Sequence, residues 1–90
     1  MSGIRVLVVV DRLARQGMWL VLSNDKDIEV VGYAENDTEF EEKVVALSPD
    51  VVLVDVEMPQ VNALATTRKL KDQGFPGAVV GLGTDSRQLD

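Results

Sequence analysis

The 90-residue chain predicts an α/β fold, a doubly wound parallel sheet of four strands and three helices, on three observations. Short β-branched runs alternate with stretches of helical period, in the order strand, helix, strand, helix, strand, helix, strand, which calls for right-handed crossover connections. The third run, Val51-Val-Leu-Val54, is apolar without alternation, as strands covered on both faces are. Asp55 then closes that run, and Met58-Pro59 ends any regular ladder just beyond it, so the carboxylate belongs at the strand's emerging end.

Each element has its own signal. Ile4 to Val10 reads as a central strand ending at Asp11, being β-branched and too short for a helix. From Arg12 to about Asn24 the period becomes helical, with Asp11 as N-cap and Leu13, Gly17, Leu20 and Val21 forming the expected inward stripe. Trp19 falls outside that stripe and marks an exposed aromatic. Ile28 to Ala34 is a second strand, at an edge, with Glu29 and Tyr33 able to face outward. Asn36 and Glu39 have the spacing of a capping box, and Phe40, Val44 and Leu47 supply the apolar face of a second helix that Ser48-Pro49-Asp50 stops. A third helix runs from about Asn62 to Lys71 with Leu64 and Leu70 inward and Arg68, Lys69 and Lys71 toward solvent. Gly74, Pro76 and Gly77 end it, and Ala78 to Leu82 forms the fourth strand. Ser86 to Asp90 opens a further helix as the chain runs out.

Composition narrows the chemistry. A chain this short buries roughly 65% of its unfolded surface and makes one domain, residues 1–90. Its net charge of −6, from 15 acidic and 9 basic residues, disfavours nucleic acid and anionic membranes as partners. There is no histidine or cysteine, so imidazole bases, thiol nucleophiles, structural zinc and disulfides are excluded together. A metal here is hard and oxygen-bound. The amino terminus shows no long apolar segment or cleavage pattern, which makes cytoplasmic residence the expectation.

In a sheet of this type, ligands bind outside the carboxyl ends of the strands, where the strand order reverses. With the order second, first, third, fourth, Asp11 and Asp55 end neighbouring strands on either side of that point and converge. Two close carboxylates repel, and a divalent cation with retained waters relieves the repulsion. The chemistry suggested is attack by a carboxylate on a phosphoryl group. The plainer alternative for either aspartate is a helix cap or a turn former. Gly81-Leu-Gly83 lacks the spacing of a phosphate loop, and a small enzyme or nucleotide binder is the least favoured class.

These residues resemble the receiver domains of two-component response regulators, specifically the NarL/FixJ (LuxR-type) group. The likeness rests on Ile4-Arg-Val-Leu-Val-Val, Asp11, the helix with Gly17, Asp27-Ile-Glu-Val-Val-Gly32 with Ala34, Ser48-Pro-Asp-Val-Val-Leu-Val-Asp-Val-Glu-Met-Pro59, and Leu64 to Leu70. It implies a flavodoxin-like (CheY-like) receiver fold that is not an enzyme and controls a transcriptional output. It also implies that Asp55 accepts a phosphoryl group from a histidine kinase, and that Mg2+ is held by Asp11, Asp55 and the backbone carbonyl of Glu57.

The departures from the family are specific. Val10 stands where a second acid is usual, which implies weak Mg2+ binding. Gly83 stands where a switch serine or threonine is usual, with Thr84 next along. The loop after Pro59 has Gln60, Val61, Asn62 and Ala63 in place of glycines, so a stiffer backbone is expected there. No fourth helix, fifth strand with its lysine, or fifth helix follows Leu82, leaving the fold incomplete at the C-terminus. Three explanations stand side by side: a chain cut short, a natural remnant, or completion by a second copy. The fourth strand is then an exposed edge, and self-association is expected through Val79, Val80 and Leu82 and through Trp19. The alternative function is a pseudo-receiver, a phosphate-independent interaction or dimerisation module.

Overall fold

A computed structural model of the protein describes residues 3–83 and 87–88. The elements are β1 (Ile4–Val9), α1 (Arg12–Ser23), β2 (Ile28–Ala34), α2 (Asp37–Leu47), β3 (Val51–Asp55), α3 (Ala63–Asp72), β4 (Ala78–Leu82) and β5 (Arg87–Gln88). The sheet order is β2-β1-β3-β4-β5, parallel through β4, with β5 a two-residue antiparallel addition. The parallel part is the flavodoxin-like, CheY-like arrangement expected from the sequence.

Two apolar layers flank the sheet. On one face Leu7, Val9, Val52, Val54 and Val79 meet Phe40 and Val44 of α2 and Ala63 and Leu70 of α3. On the other, Val6, Val8 and Val10 meet Ala14, Met18 and Leu22 of α1 together with Val51 and Leu53. Among the described residues the first layer has two helices and the second one. No helix among the described residues is long and apolar enough to cross a membrane.

The helix ends follow the sequence. Asn36 caps α2 by accepting from the Glu39 N–H at 2.9 Å, while the Glu39 carboxylate takes the Glu35 N–H at 2.9 Å. α3 ends in a Schellman turn: Gly74, at φ 95°, donates to the Lys71 carbonyl, and Phe75 donates to that of Leu70. Phe75 thereby folds back onto the core layer that contains Leu70.

Several expectations need correcting. The residues expected to point inward from α1 face solvent: Leu13 is 93% exposed, Leu20 61% and Val21 69%, and Gly17 is exposed with them. Ala14, Met18 and Leu22 are the inward stripe instead, because α1 is apolar on both sides and its period alone does not choose between them. Leu64 is likewise exposed, and α3 buries Ala63, Thr66, Thr67 and Leu70, an i, i+3, i+4, i+7 set. Lys71 is not free in solvent: its ammonium donates to the Gly77 carbonyl. Residues 87 and 88 are strand rather than helix; the rest of the expected terminal helix lies outside the described residues. β4 is not a bare edge, since Val80 and Gly81 pair with Gln88 and Arg87. Val79 is fully buried and unavailable as a contact surface.

Two polar features generate tests. The carboxylate of Asp37, at the start of α2, accepts the Asn62 N–H at 3.0 Å and the Thr66 hydroxyl at 2.6 Å, which ties α2 to the first turn of α3. Asp37→Ala leaves a buried hydroxyl and a helix-end N–H without this partner and is expected to cost about 1–3 kcal/mol, read by urea unfolding. Tyr33 has its hydroxyl buried without a partner among the described residues, and burial raises its pKa above the ordinary 10.0, against a smaller lowering by the Arg15 guanidinium 4.9 Å from its ring. The unfolded chain therefore loses this proton first as pH rises. Stability contributed by neutral Tyr33 is complete below pH 10 and falls as pH climbs through the higher folded value. Tyr33→Phe should flatten that alkaline decline in a pH series of thermal melts.

Candidate functional site

The site is built by the pairing of β1 with β3. Val6, Leu7, Val8 and Val9 lie opposite Val51, Val52, Leu53 and Val54, so Asp55 follows this register by one residue and Asp11 by two, at the same end of adjacent strands. β2 lies on the far side of β1, which makes the gap between β1 and β3 the point where the strand order reverses. The two carboxylates expected to converge are thus carried by immediate neighbours.

Each carboxylate has one oxygen tied to local backbone. Asp11 Oδ1 accepts the Ala14 N–H at 2.8 Å, capping α1. Asp55 Oδ1 accepts the Glu57 N–H at 2.9 Å, closing the turn after β3. Their Oδ2 atoms take no hydrogen bond from any described residue, which leaves one hard oxygen on each for a ligand. The cap and turn readings of these aspartates therefore hold, and they do not exhaust the side chains.

The loop after β3 is anchored at intervals. Val56 donates to the Leu82 carbonyl at 3.0 Å, Met58 and Val61 are buried, and Glu57 is exposed between them. Its lack of glycine costs nothing in conformation: among the described non-glycine residues only Ser48 has a positive φ. A cavity of about 600 Å³ beside this loop is lined by Asp37, by Val56 through Val61, and by the first residues of α3. Sequence reasoning missed Asp37, which holds the far end of this loop through Asn62 and Thr66. Its partners are 25 and 29 residues away, so no local spacing announces them.

The atypical positions are now placed. Val10 is 2% exposed and belongs to the layer under α1, so no second acid faces the site from there. Among the described residues no group of three or more His, Cys, Asp or Glu side chains gathers to hold a metal. A cation would rest on two carboxylates, a backbone carbonyl and water, a donor set that suits Mg2+ because this ion keeps several waters. Gly83 lies at the end of β4, and a Cβ there would stand 3.0 Å from Val56 Cγ2 and 3.5 Å from Glu57 Oε2. A side chain at this position would press on Val56 and meet Glu57 at ordinary contact distance. Thr84 lies outside the described residues. Trp19, 53% exposed, sits on α1 with Arg15 and Tyr33 and takes no part in this site.

Comparison with known proteins agrees with this geometry. The response regulator receiver domain family matches residues 6–89. The chain is 44% identical over 85 residues to a protein-glutamate methylesterase/protein-glutamine glutaminase of Nocardioides, covering 93% of this chain and 23% of that protein. It is 47% identical over 68 residues to the response regulator GacA of Pseudomonas viridiflava, covering 74% of this chain and 32% of that one. The signal receiver domain of NarL from Mycobacterium tuberculosis superposes with a TM-score of 0.81 at 29% identity, over 90% of this chain and 66% of that one. The response regulator domain of Thermotoga maritima CheB gives 0.79 at 32%, over 88% and 59%. Both NarL-like and CheB-like proteins are among these, so the NarL/FixJ group is not singled out. The family match spans the sheet, all three helices and both aspartates, and the chain belongs to the response regulator receiver domains.

Proposed function

We propose that this chain is a phosphorylation-controlled input module that takes a phosphoryl group from a histidine kinase onto Asp55. The observation that carries the reading is the Asp55 carboxylate at the reversal point of the sheet, one oxygen held by the Glu57 N–H and the other without a hydrogen bond from any described residue, beside strand β1, which Asp11 follows by two residues. The Asp55 Oδ2 attacks phosphorus, an O–P bond forms, and the P–N bond to the kinase imidazole breaks. The imidazole leaves with the electron pair and takes its proton from solvent. Asp11, Asp55 and the Glu57 carbonyl are the groups that would hold Mg2+, whose charge offsets that of the incoming phosphoryl oxygens. With two side-chain oxygens and no acid at Val10, the affinity for the ion is low.

The chain spans about a fifth to a third of the length of the curated relatives described above, so the output belongs to the longer proteins. We assign a transcriptional output on the likeness to the NarL receiver and to GacA. The methylesterase activity in the other relatives' names would in any case not reside here, since the chain matches under a quarter of that protein and contains no histidine or cysteine. Its charge of −6 argues against direct contact with nucleic acid or an anionic membrane. A cytoplasmic location follows from the kinase partner.

A second reading, the pseudo-receiver, is favoured by Gly83. It presents no hydroxyl to a phosphoryl oxygen, and a Cβ in its place would already stand 3.0 Å from Val56 Cγ2. Mass spectrometry after incubation with magnesium and a small phosphodonor, or fluorine spectroscopy with beryllofluoride, separates the two. One phosphoryl group on the wild type and none on Asp55→Asn is expected; no modification of the wild type at saturating magnesium would favour the pseudo-receiver. Removing magnesium with a chelator should abolish the reaction. Gly83→Thr should cost about 1 kcal/mol by overpacking against Val56, and Val56→Ala in the same chain should recover most of it, read by thermal unfolding of the single and double variants.

A further inference from the structure

The connection from β3 to α3, residues 56–62, carries the Glu57 carbonyl and has little packing to hold it. Met58 and Val61 are buried, but Val56, Glu57, Pro59, Gln60 and Asn62 are exposed, and a cavity of about 600 Å³ opens along its length. Hydrogen bonds at its two ends therefore set its position. At the near end the Val56 N–H bonds to the Leu82 carbonyl and the Glu57 N–H to Asp55 Oδ1. At the far end the tether comes from another element: Asp37, the first residue of α2, takes the Asn62 N–H on Oδ2 and the Thr66 hydroxyl on Oδ1.

That tether is firm. The Asp37 carboxylate stands at the first turns of two helices at once, α2 on which it lies and α3 whose end it binds, and the positive N-terminal ends of both favour its charge. Thr66 is 6% exposed, so its 2.6 Å bond is shielded from water. Asn62 in turn caps α3 by accepting the Ala65 N–H at 3.2 Å, which makes the fixed point a helix end. Met58, Pro59, Gln60 and Val61 alone separate Asn62 from Glu57, none of them glycine, and the Val61 N–H bonds back to the Met58 carbonyl at 3.2 Å. Such a backbone has few ways to absorb a shift at one end, so the shift reaches the other.

We infer that Asp37 is a positioning residue for the cation site. By pinning Asn62 to α2 it holds the Glu57 carbonyl in one place relative to Asp55, and so raises the affinity for Mg2+ without touching the ion. This role rests on the phosphoryl-acceptor reading above. Both Asp37 oxygens are engaged by the start of α3, so the residue acts through the loop. With Val10 buried and no second acid beside Asp11, the carbonyl is a larger share of what the chain offers the ion, and its placement weighs more.

Two measurements on the 90-residue chain test this, one of them free of metal. Without magnesium, hydrogen exchange at the Val61 amide should quicken by roughly threefold or more in Asp37→Ala. In a magnesium titration followed on the Glu57 amide resonance, half-saturation in that variant should move to a roughly tenfold higher concentration, the low end of what partners of metal ligands contribute. Asp37→Ser, with a single oxygen of shorter reach, serves the same purpose if Asp37→Ala does not fold. Asp37→Asn is the conservative rescue: its amide oxygen can take the Asn62 N–H and its NH2 can donate to the Thr66 hydroxyl, so both values should stay within about twofold of wild type. Glu41→Ala removes the same charge and the other link between α2 and α3, the 2.8 Å ion pair with Lys69, but leaves the tether, and should also behave as wild type. An Asp37→Ala chain that matches the wild type in either measurement, or a loss as large in Asp37→Asn or Glu41→Ala, would overturn the positioning role and leave the acceptor reading standing. A wild type whose Glu57 amide ignores magnesium would overturn both together.

Discussion

The in-register pairing of β1 with β3 is the constraint from which the rest of the molecule follows. Val9 opposite Val54 sets the ends of the two strands level, and Asp55 and Asp11 emerge together as a consequence. A slip of one residue would turn every β3 side chain to the other face and move Asp55 away from Asp11. The register is fixed at the opposite end of the strands. There the Arg5 N–H gives a 2.8 Å bond to Asp50 Oδ2, the Asp50 N–H returns one of 2.8 Å to the Arg5 carbonyl, and the Arg5 guanidinium reaches the Ser48 carbonyl at 2.8 Å. A polar clamp at the start of the strands thus positions two carboxylates at their finish.

The site's atypical residues are consistent with their packing. Val10 points into the layer beneath α1, where a carboxylate would be buried without a partner, so restoring an acid there would cost core stability. Gly83 lies beside Val56 and Glu57, so a side chain there would press on Val56, whose N–H also bonds to the Leu82 carbonyl. The Asp55 carboxylate and the loop after β3 thus stand beside a β4 end that carries no side chain at Gly83.

Much of this was legible in the sequence because the strands and caps depend on local pattern. The unbroken apolar run before Asp55 and the Asn36–Glu39 spacing each specify one conformation. The misreadings have physical causes. α1 carries two apolar stripes, Leu13–Leu20–Val21 and Ala14–Met18–Leu22, and only the position of β2 and β3 decides which one is buried. In α3 the buried face includes Thr66 and Thr67, whose hydroxyls disguise a helical repeat that begins at Ala63 and ends at Leu70. Asp37 was invisible as a loop anchor because its partners are remote in the chain. Pairing of residues 87 and 88 with β4 leaves no mark in so short a stretch.

The most direct test of the account is a magnesium titration followed through backbone amide resonances. The Ala14 and Glu57 amides donate to Asp11 and Asp55, so they report on those carboxylates individually. One saturable transition that moves both amides together, and that is lost in Asp11→Asn and in Asp55→Asn alike, is the predicted result. Independent titration of the two amides, or shifts confined to other acidic surfaces, would contradict a shared cation site between β1 and β3.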